Sequence, residues 1–190
     1  MNNALLVICP EQPTCPPPSI DGLSSVLHAT GFAGPALNPH AGPLERMYMV
    51  GDSFLDHIAF LGCSPNIKLE PGVGHQSFCH VNIVSTSGNH IVFRSAEHTP
   101  APRCPGCGKA LNDWRSLAGN GSIEPGAEWQ CHHCDLRAPP WQFNWRKRAG
   151  FGRCFIEISD IFPKEALPQA GLLDVLSAAF GMKWGWFYLY

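Results

Sequence analysis

Nine cysteines stand in this chain of 190 residues, and four of them are spaced for metal chemistry. Cys104-Pro105-Gly106-Cys107 is followed, after twenty-three residues, by Cys131-His132-His133-Cys134. A two-residue spacer lets one tight turn aim both sulfurs of a pair at the same point. Two such pairs supply the four thiolates of a closed tetrahedral site. Thiolate softness and site type favour zinc over iron, as one structural Zn2+ per chain. A closed four-sulfur shell keeps no open position for water or substrate, so the metal replaces the core that a short segment cannot build. Cys9, Cys15, Cys63, Cys79 and Cys154 are scattered singly. An odd total in a chain of this length reads as a metal site plus buried thiols, not as a disulfide scaffold.

Gly108 follows the first pair, where a positive φ turns backbone amides toward the sulfurs. The residues after it suit a β-hairpin closed around Gly119-Asn120-Gly121, and 122–130 lead back to the second pair. The Cys-Pro-x-Cys-Gly knuckle at 104–108 and Trp129-x-Cys131-x-x-Cys134 resemble the zinc ribbon family, over about 35 of the 190 residues. That resemblance implies a structural metal and no chemistry at it. One position departs from the pattern: Asp135, not glycine, follows the second pair, which predicts a less regular knuckle. His132 and His133 are expected to face solvent or a partner, because the flanking sulfurs already fill the metal shell.

Charge is unevenly spread. Between Arg94 and Arg153 lie nine of the thirteen basic residues but only five of the fifteen acids, a formal +4, while the remainder carries −6. Four of the six tryptophans (114, 129, 141, 145) fall in the same span. Within it, 141–148 interleaves Trp141, Phe143 and Trp145 with Arg146, Lys147 and Arg148, as single-stranded nucleic-acid sites often do. Four thiolates around one divalent ion carry −2, however, and halve the surplus. Trp141, Trp145, Arg146, Lys147 and Arg148 are therefore read as a docking surface for a protein partner ahead of nucleic acid. At least one of these aromatics is expected to pack inward.

A second constellation lies at Gly51-Asp52-Ser53, between a strand and a helix. It looks like the nucleophile block of the GDSL (SGNH) hydrolases, in which a serine sits on a strand-to-helix turn. That resemblance implies a hydrolase site near Ser53 and His57, the alternative to a non-catalytic binding or adaptor module. The family's Asp-x-x-His pair near the carboxy terminus is missing, since no histidine follows His133. Helix capping by Asp52 or Ser53 is the plainer expectation. Asp52, Asp56, His57, Cys63, His75, Cys79 and His80 form a further loose set of polar or metal-binding candidates. Satisfied histidines and buried thiols explain them without a catalytic site, and no catalytic residue is assigned.

These residues must be positioned by something larger. Hydrophobic residues are 45% of the chain and charged residues 15%, with 19 glycines and 18 prolines, which describes a loop-rich folded chain, not a disordered one. The net charge of −2 excludes nucleic-acid binding through bulk positive charge, and no apolar run reaches the ~18–20 residues of a membrane span. The segment 4–9 is too short and lacks the basic residues of a secretion signal; it reads as a buried strand in a cytoplasmic protein. Further strands are predicted at 45–50, 78–86, 90–95, 153–159 and 183–190. The turn Ser87-Gly88-Asn89 joins the third and fourth segments as a hairpin. Both faces of 183–190 are apolar, which predicts a central strand. Helices are predicted at 21–30, at 53–61 with Phe54, Leu55, Ile58 and Leu61 inward, and at 169–180, where Gly181 ends an apolar stripe. The expected fold is α+β, a mixed or antiparallel sheet with two or three helices. Proline-rich borders mark 101–140 as a zinc ribbon insert in a domain made of 1–100 and 141–190.

Overall fold

The protein is described by a computed structural model over residues 4–38, 42–61, 67–72, 77–161 and 165–190. In chain order its first elements are β1 (Ala4–Pro10), α1 (Ile20–Ala29), β2 (Ala33–Ala36), β3 (Glu45–Val50), α2 (Phe54–His57), β4 (Ile58–Phe60) and β5 (His80–Ser85). Next come β6 (Ile91–Ser95), α3 (Trp114–Ala118), β7 (Ser122–Ile123), β8 (Trp129–Gln130) and β9 (Arg137–Ala138). The chain continues through β10 (Ala149–Gly152), β11 (Cys154–Ile161), β12 (Ala166–Pro168), α4 (Ala170–Phe180) and β13 (Trp184–Leu189). The fold class is α+β, and every strand pairing given for the main sheet is antiparallel.

Six strands pair in the order β13-β1-β11-β5-β3-β2. On one face of this sheet Leu6, Ile8, Ile83, Ile156 and Ile158 are buried with Leu23 and Leu27 of α1 and Leu172 and Leu176 of α4. The helices lie there because each carries its leucines at helical spacing, while the strands send alternate residues to that face. Both helix ends have local causes. Ser19 Oγ accepts the Gly22 N–H at 3.1 Å at the start of α1. Gly181 closes α4 in the left-handed conformation, φ 66°, where glycine carries no Cβ penalty.

A second sheet, β10-β6-β7, packs over the other face, where Val7, Cys9, Phe155 and Phe187 meet Val92. The segments 78–86 and 90–95 are indeed strands, but they are not each other's hairpin partners. β5 pairs with β11 and β3, whereas β6 pairs with β10 and β7. Ser87-Gly88-Asn89, with Gly88 at φ 85°, is the bend by which the chain leaves one sheet for the other. The return passage runs alongside through Arg153, whose carbonyl accepts the Thr86 N–H at 2.9 Å. A turn signal states where the chain bends; which strand lies opposite is decided by the whole sheet.

Three other expectations change. The helix at 53–61 stops at His57, because Ile58 turns extended and β4 pairs with β12; there tertiary pairing overrides local helical pattern. Phe54 and Ile58 are buried as expected, but Leu55 and Leu61 are exposed. The last strand, β13, is an edge of the main sheet and not a central strand. Its apolar outer face is covered by the second sheet, and beyond its edge the Tyr188 N–H donates to Lys147 O at 2.8 Å. Finally, the residues before Gly119 form the short helix α3, not the arm of a hairpin. Among the described residues no helix is long and apolar enough to cross a membrane.

Candidate metal centre

The two Cys-x-x-Cys pairs come together. The four Sγ atoms of Cys104, Cys107, Cys131 and Cys134 all lie within 4.8 Å of one another. Cys104 and Cys134 are 3.7 Å apart, as are Cys107 and Cys131. These separations far exceed a disulfide bond, and all four are free thiols. The tetrad is positioned to bind a metal ion. In each pair the first cysteine is buried and the second exposed, so the site sits at the rim of the molecule with its inner sulfurs against the core.

Each pair sits at the tip of a short antiparallel ladder. The first stands on the bridge between Arg103 and Ala110, the second between β8 and β9. Their backbone hydrogen bonds match one for one. Gly108 N–H donates to Cys104 O at 2.9 Å, and Cys104 N–H to Lys109 O at 2.8 Å. Asp135 N–H donates to Cys131 O at 2.8 Å, and Cys131 N–H to Leu136 O at 2.9 Å. Gly108 has φ 72° and Asp135 has φ 56°. The expected irregularity of the second knuckle is therefore absent. Aspartate reaches the left-handed conformation more readily than most residues, and Gln130 Nε2 donates to Asp135 Oδ1 at 3.2 Å. The signal for this was present in the sequence as aspartate at the position glycine holds in the first knuckle.

The four sulfurs perturb one another's titration unequally. Backbone amides of Cys107 and Gly106 hold the Cys104 thiol down at about 7. The Gly106 N–H lies 3.4 Å from its sulfur. Cys134 also takes a backbone hydrogen bond, from Leu136, but partial desolvation and the neighbouring sulfurs push it up to about 12. Thiolates crowded this closely repel one another, and a divalent cation at their centre removes that repulsion. His132 does not simply face solvent: its Nε2 lies 2.9 Å from Asp113 Oδ2, tying the second knuckle to the start of α3. His133 is exposed.

Behind the knuckles, Cys104 and Cys131 join a core of Leu111, Trp114, Trp129, Phe143 and Trp145. This core extends beyond 101–140, to Ile91 and Phe93 on one side and Ala149 and Phe151 on the other. Trp145 is at its centre, with its ring centroid 4.9 Å from that of Phe93 and 5.3 Å from that of Trp114. Its indole N–H donates to Pro140 O at 2.9 Å.

The rest of 141–148 divides between core and surface. Trp141 is half-buried against Phe151. The Arg146 guanidinium donates to Ala101 O at 2.8 Å. Lys147 Nζ lies 4.3 Å above the Trp186 ring. Arg148 packs on the Tyr190 ring and donates to Tyr190 O at 3.0 Å.

Ser53 and His57 are not brought into a catalytic pair. His57 Nε2 donates to Thr30 O at 3.0 Å, which fixes that nitrogen as the protonated one, and its ring stands edge-on to Phe32. No hydrogen bond joins it to Ser53. Neither does Ser53 cap the helix with its side chain; its hydroxyl lies against Gly31, where a Cβ would come within 2.9 Å of it. Asp52 and Asp56 are exposed, and His80 Nδ1 lies 3.0 Å from Phe78 O. Cys79 is fully buried, and burial pushes its thiol up to about 12. Cys63 and His75 lie outside the described residues. Compared with known proteins, the chain matches no family model, no curated protein and no solved structure.

Proposed function

We propose that this chain is a zinc-stabilised binding module, in which Cys104, Cys107, Cys131 and Cys134 hold one structural Zn2+ as a zinc ribbon does. One observation carries the reading: sulfurs 3.7 Å apart match the edge of a tetrahedron whose metal–sulfur bonds are about 2.3 Å, an edge of roughly 3.8 Å. A shell complete with four thiolates polarises no substrate and activates no water. The metal's work is to pin two hairpin tips together and to close the aromatic core behind them. The surface bordered by Trp141, Arg146 and Lys147 is the proposed face for a protein partner, with Trp145 supporting it from within.

The test is elemental analysis of protein purified without chelators. One zinc per chain, lost on Cys131→Ser, supports the reading. Stoichiometric iron with its visible thiolate bands, or metal-free protein with two disulfides, overturns it.

A further inference from the structure

Where the two cores meet, a cleft of about 370 Å³ opens between β13 and the segment 141–151. Trp141 and Trp186, both half-buried, line it. Gly150 and Gly185 belong to the same lining; Gly150 tolerates no side chain, and at Gly185 one would fit tightly. A Cβ on Gly150 would lie 2.1 Å from the Phe187 ring, and one on Gly185 would lie 3.1 Å from the Glu11 stem. Glu11 and Lys147 are both at the cleft and act on each other through space, yet no ion pair joins them. Among the described residues no side chain forms an ion pair with either.

The turn that presents Lys147 is strained. Arg146 and Lys147 have φ of 52° and 58°, two consecutive residues other than glycine in the left-handed region, a conformation such residues seldom adopt. Asn144 Oδ1 holds the turn by accepting the Arg146 N–H at 2.9 Å, and Tyr188 N–H holds Lys147 O. The turn closes on itself as well, the Arg148 N–H donating to Trp145 O at 3.0 Å. What the lysine adds is a cation above an indole at the cleft wall. A concavity at the junction of two cores, with aromatic side chains and a few convergent polar groups, is a common place for a small ligand.

We propose that this cleft binds a small zwitterion with an aromatic body, of the class of an aromatic amino acid. Its ammonium faces Glu11, its carboxylate faces Lys147, and its ring lies along Trp141 and Trp186. The inference goes beyond the metal-stabilised module and does not depend on the identity of the metal.

Calorimetric titration tests it with four probes on the full chain: L-phenylalanine, phenethylamine (no carboxylate), 3-phenylpropionate (no ammonium) and glycine (no ring). L-phenylalanine is expected to bind saturably, about tenfold or more tighter than each of the others. Glu11→Gln should weaken L-phenylalanine and phenethylamine while sparing 3-phenylpropionate; Lys147→Met should weaken L-phenylalanine and 3-phenylpropionate while sparing phenethylamine. Each variant is checked for unchanged near-ultraviolet circular dichroism and metal content. No saturable binding in the millimolar range by folded, metal-loaded protein overturns the inference and leaves the metal reading standing. Equal binding of the three aromatic probes also overturns it, because the charges then contribute nothing.

Discussion

The molecule holds two cores built by different means. The first, between the main sheet and the helices α1 and α4, is mainly aliphatic: Leu6, Ile8, Leu23, Leu27, Ile83, Ile156, Ile158, Leu172 and Leu176 are each fully buried, with Phe32 and Phe54 among them. Long strands and two amphipathic helices supply enough apolar surface for it to close on itself. The second, behind the cysteine knuckles, rests on two- to five-residue strands and the five-residue helix α3. Elements so short cannot exclude water unaided, and aromatic rings with the cysteine tetrad take the place of length. The difference teaches that a region poor in regular structure is ordered here by a few strong contacts, so it should fail at single points. The aliphatic core should fail gradually.

The largest expected effect follows from removing the metal that the tetrad is proposed to hold. Chelation at neutral pH, or Cys104→Ser, should abolish the order of the second core, seen as loss of the near-ultraviolet tryptophan signal, while far-ultraviolet strand signal from the main sheet persists. In small structural zinc sites the binding free energy, about 10–16 kcal/mol, is folding free energy. Simultaneous collapse of both signals would mean that the two cores form one cooperative unit.

Trp145→Ala removes the ring that Phe93, Trp114, Trp129 and Phe151 surround. A loss of about 3–5 kcal/mol is expected, accompanied by weaker metal retention under competing chelator. Phe54→Ala in the aliphatic core should cost a similar amount by denaturant titration and leave metal retention unchanged. Equal metal loss in both variants would erase the distinction between the cores.

Two serines that look alike in sequence should separate by measurement. Ser19→Ala removes a hydroxyl that accepts the Gly22 N–H and should cost roughly 0.5–2 kcal/mol. Ser53→Ala removes one that makes no capping bond and should stay within about 0.5 kcal/mol. Thermal or denaturant unfolding decides between them, and a large loss at Ser53 would restore it as a cap.

The smallest effect concerns the charge pair that crosses from the second sheet to the first, Arg94 with Glu157. Burial pushes the Glu157 carboxyl above its ordinary value of 4.5, against the pull of Arg94. A carboxyl raised in the folded state contributes its stability below its unfolded value and loses it as pH rises through the folded one. Relative to Glu157→Gln, the parent should therefore lose stability as the pH rises from about 4.5 upward, as denaturant titration at a series of pH values would show. A pH-independent difference would show that Arg94 fully offsets the burial.

What was legible in the sequence was local. The helix ending at Gly181 is written in its apolar period and in one glycine. The cysteine tetrad is legible because its spacing is itself the geometry of the site. Pairing partners were not legible: nothing near Ser87-Gly88-Asn89 tells that β5 and β6 belong to different sheets. Nor does an apolar β13 disclose that the second sheet, not a neighbouring strand, covers it. Trp145 looked like an exposed anchor because its neighbours are cations, whereas its burial depends on Phe93 and Trp114, tens of residues away. The cleft is built from β1, β13 and the segment after the knuckles, three stretches that no local pattern connects.

The bent ribbon by which the chain leaves the main sheet at Thr86 and returns at Arg153 has a kinetic consequence. Thr86 and Arg153 are 67 positions apart, and β11 cannot dock on β5 until that loop is closed. Loop-closure entropy grows by about 0.6 kcal/mol per doubling of length. If the intervening residues first order themselves around the cysteines, a loop of this length becomes a short, nearly rigid clip, and roughly four doublings, on the order of 2 kcal/mol, leave the barrier to sheet assembly. In that order local contacts precede the long-range ladder, the sequence of events that speeds folding in general. A chain supplied with its metal late should complete its largest sheet late.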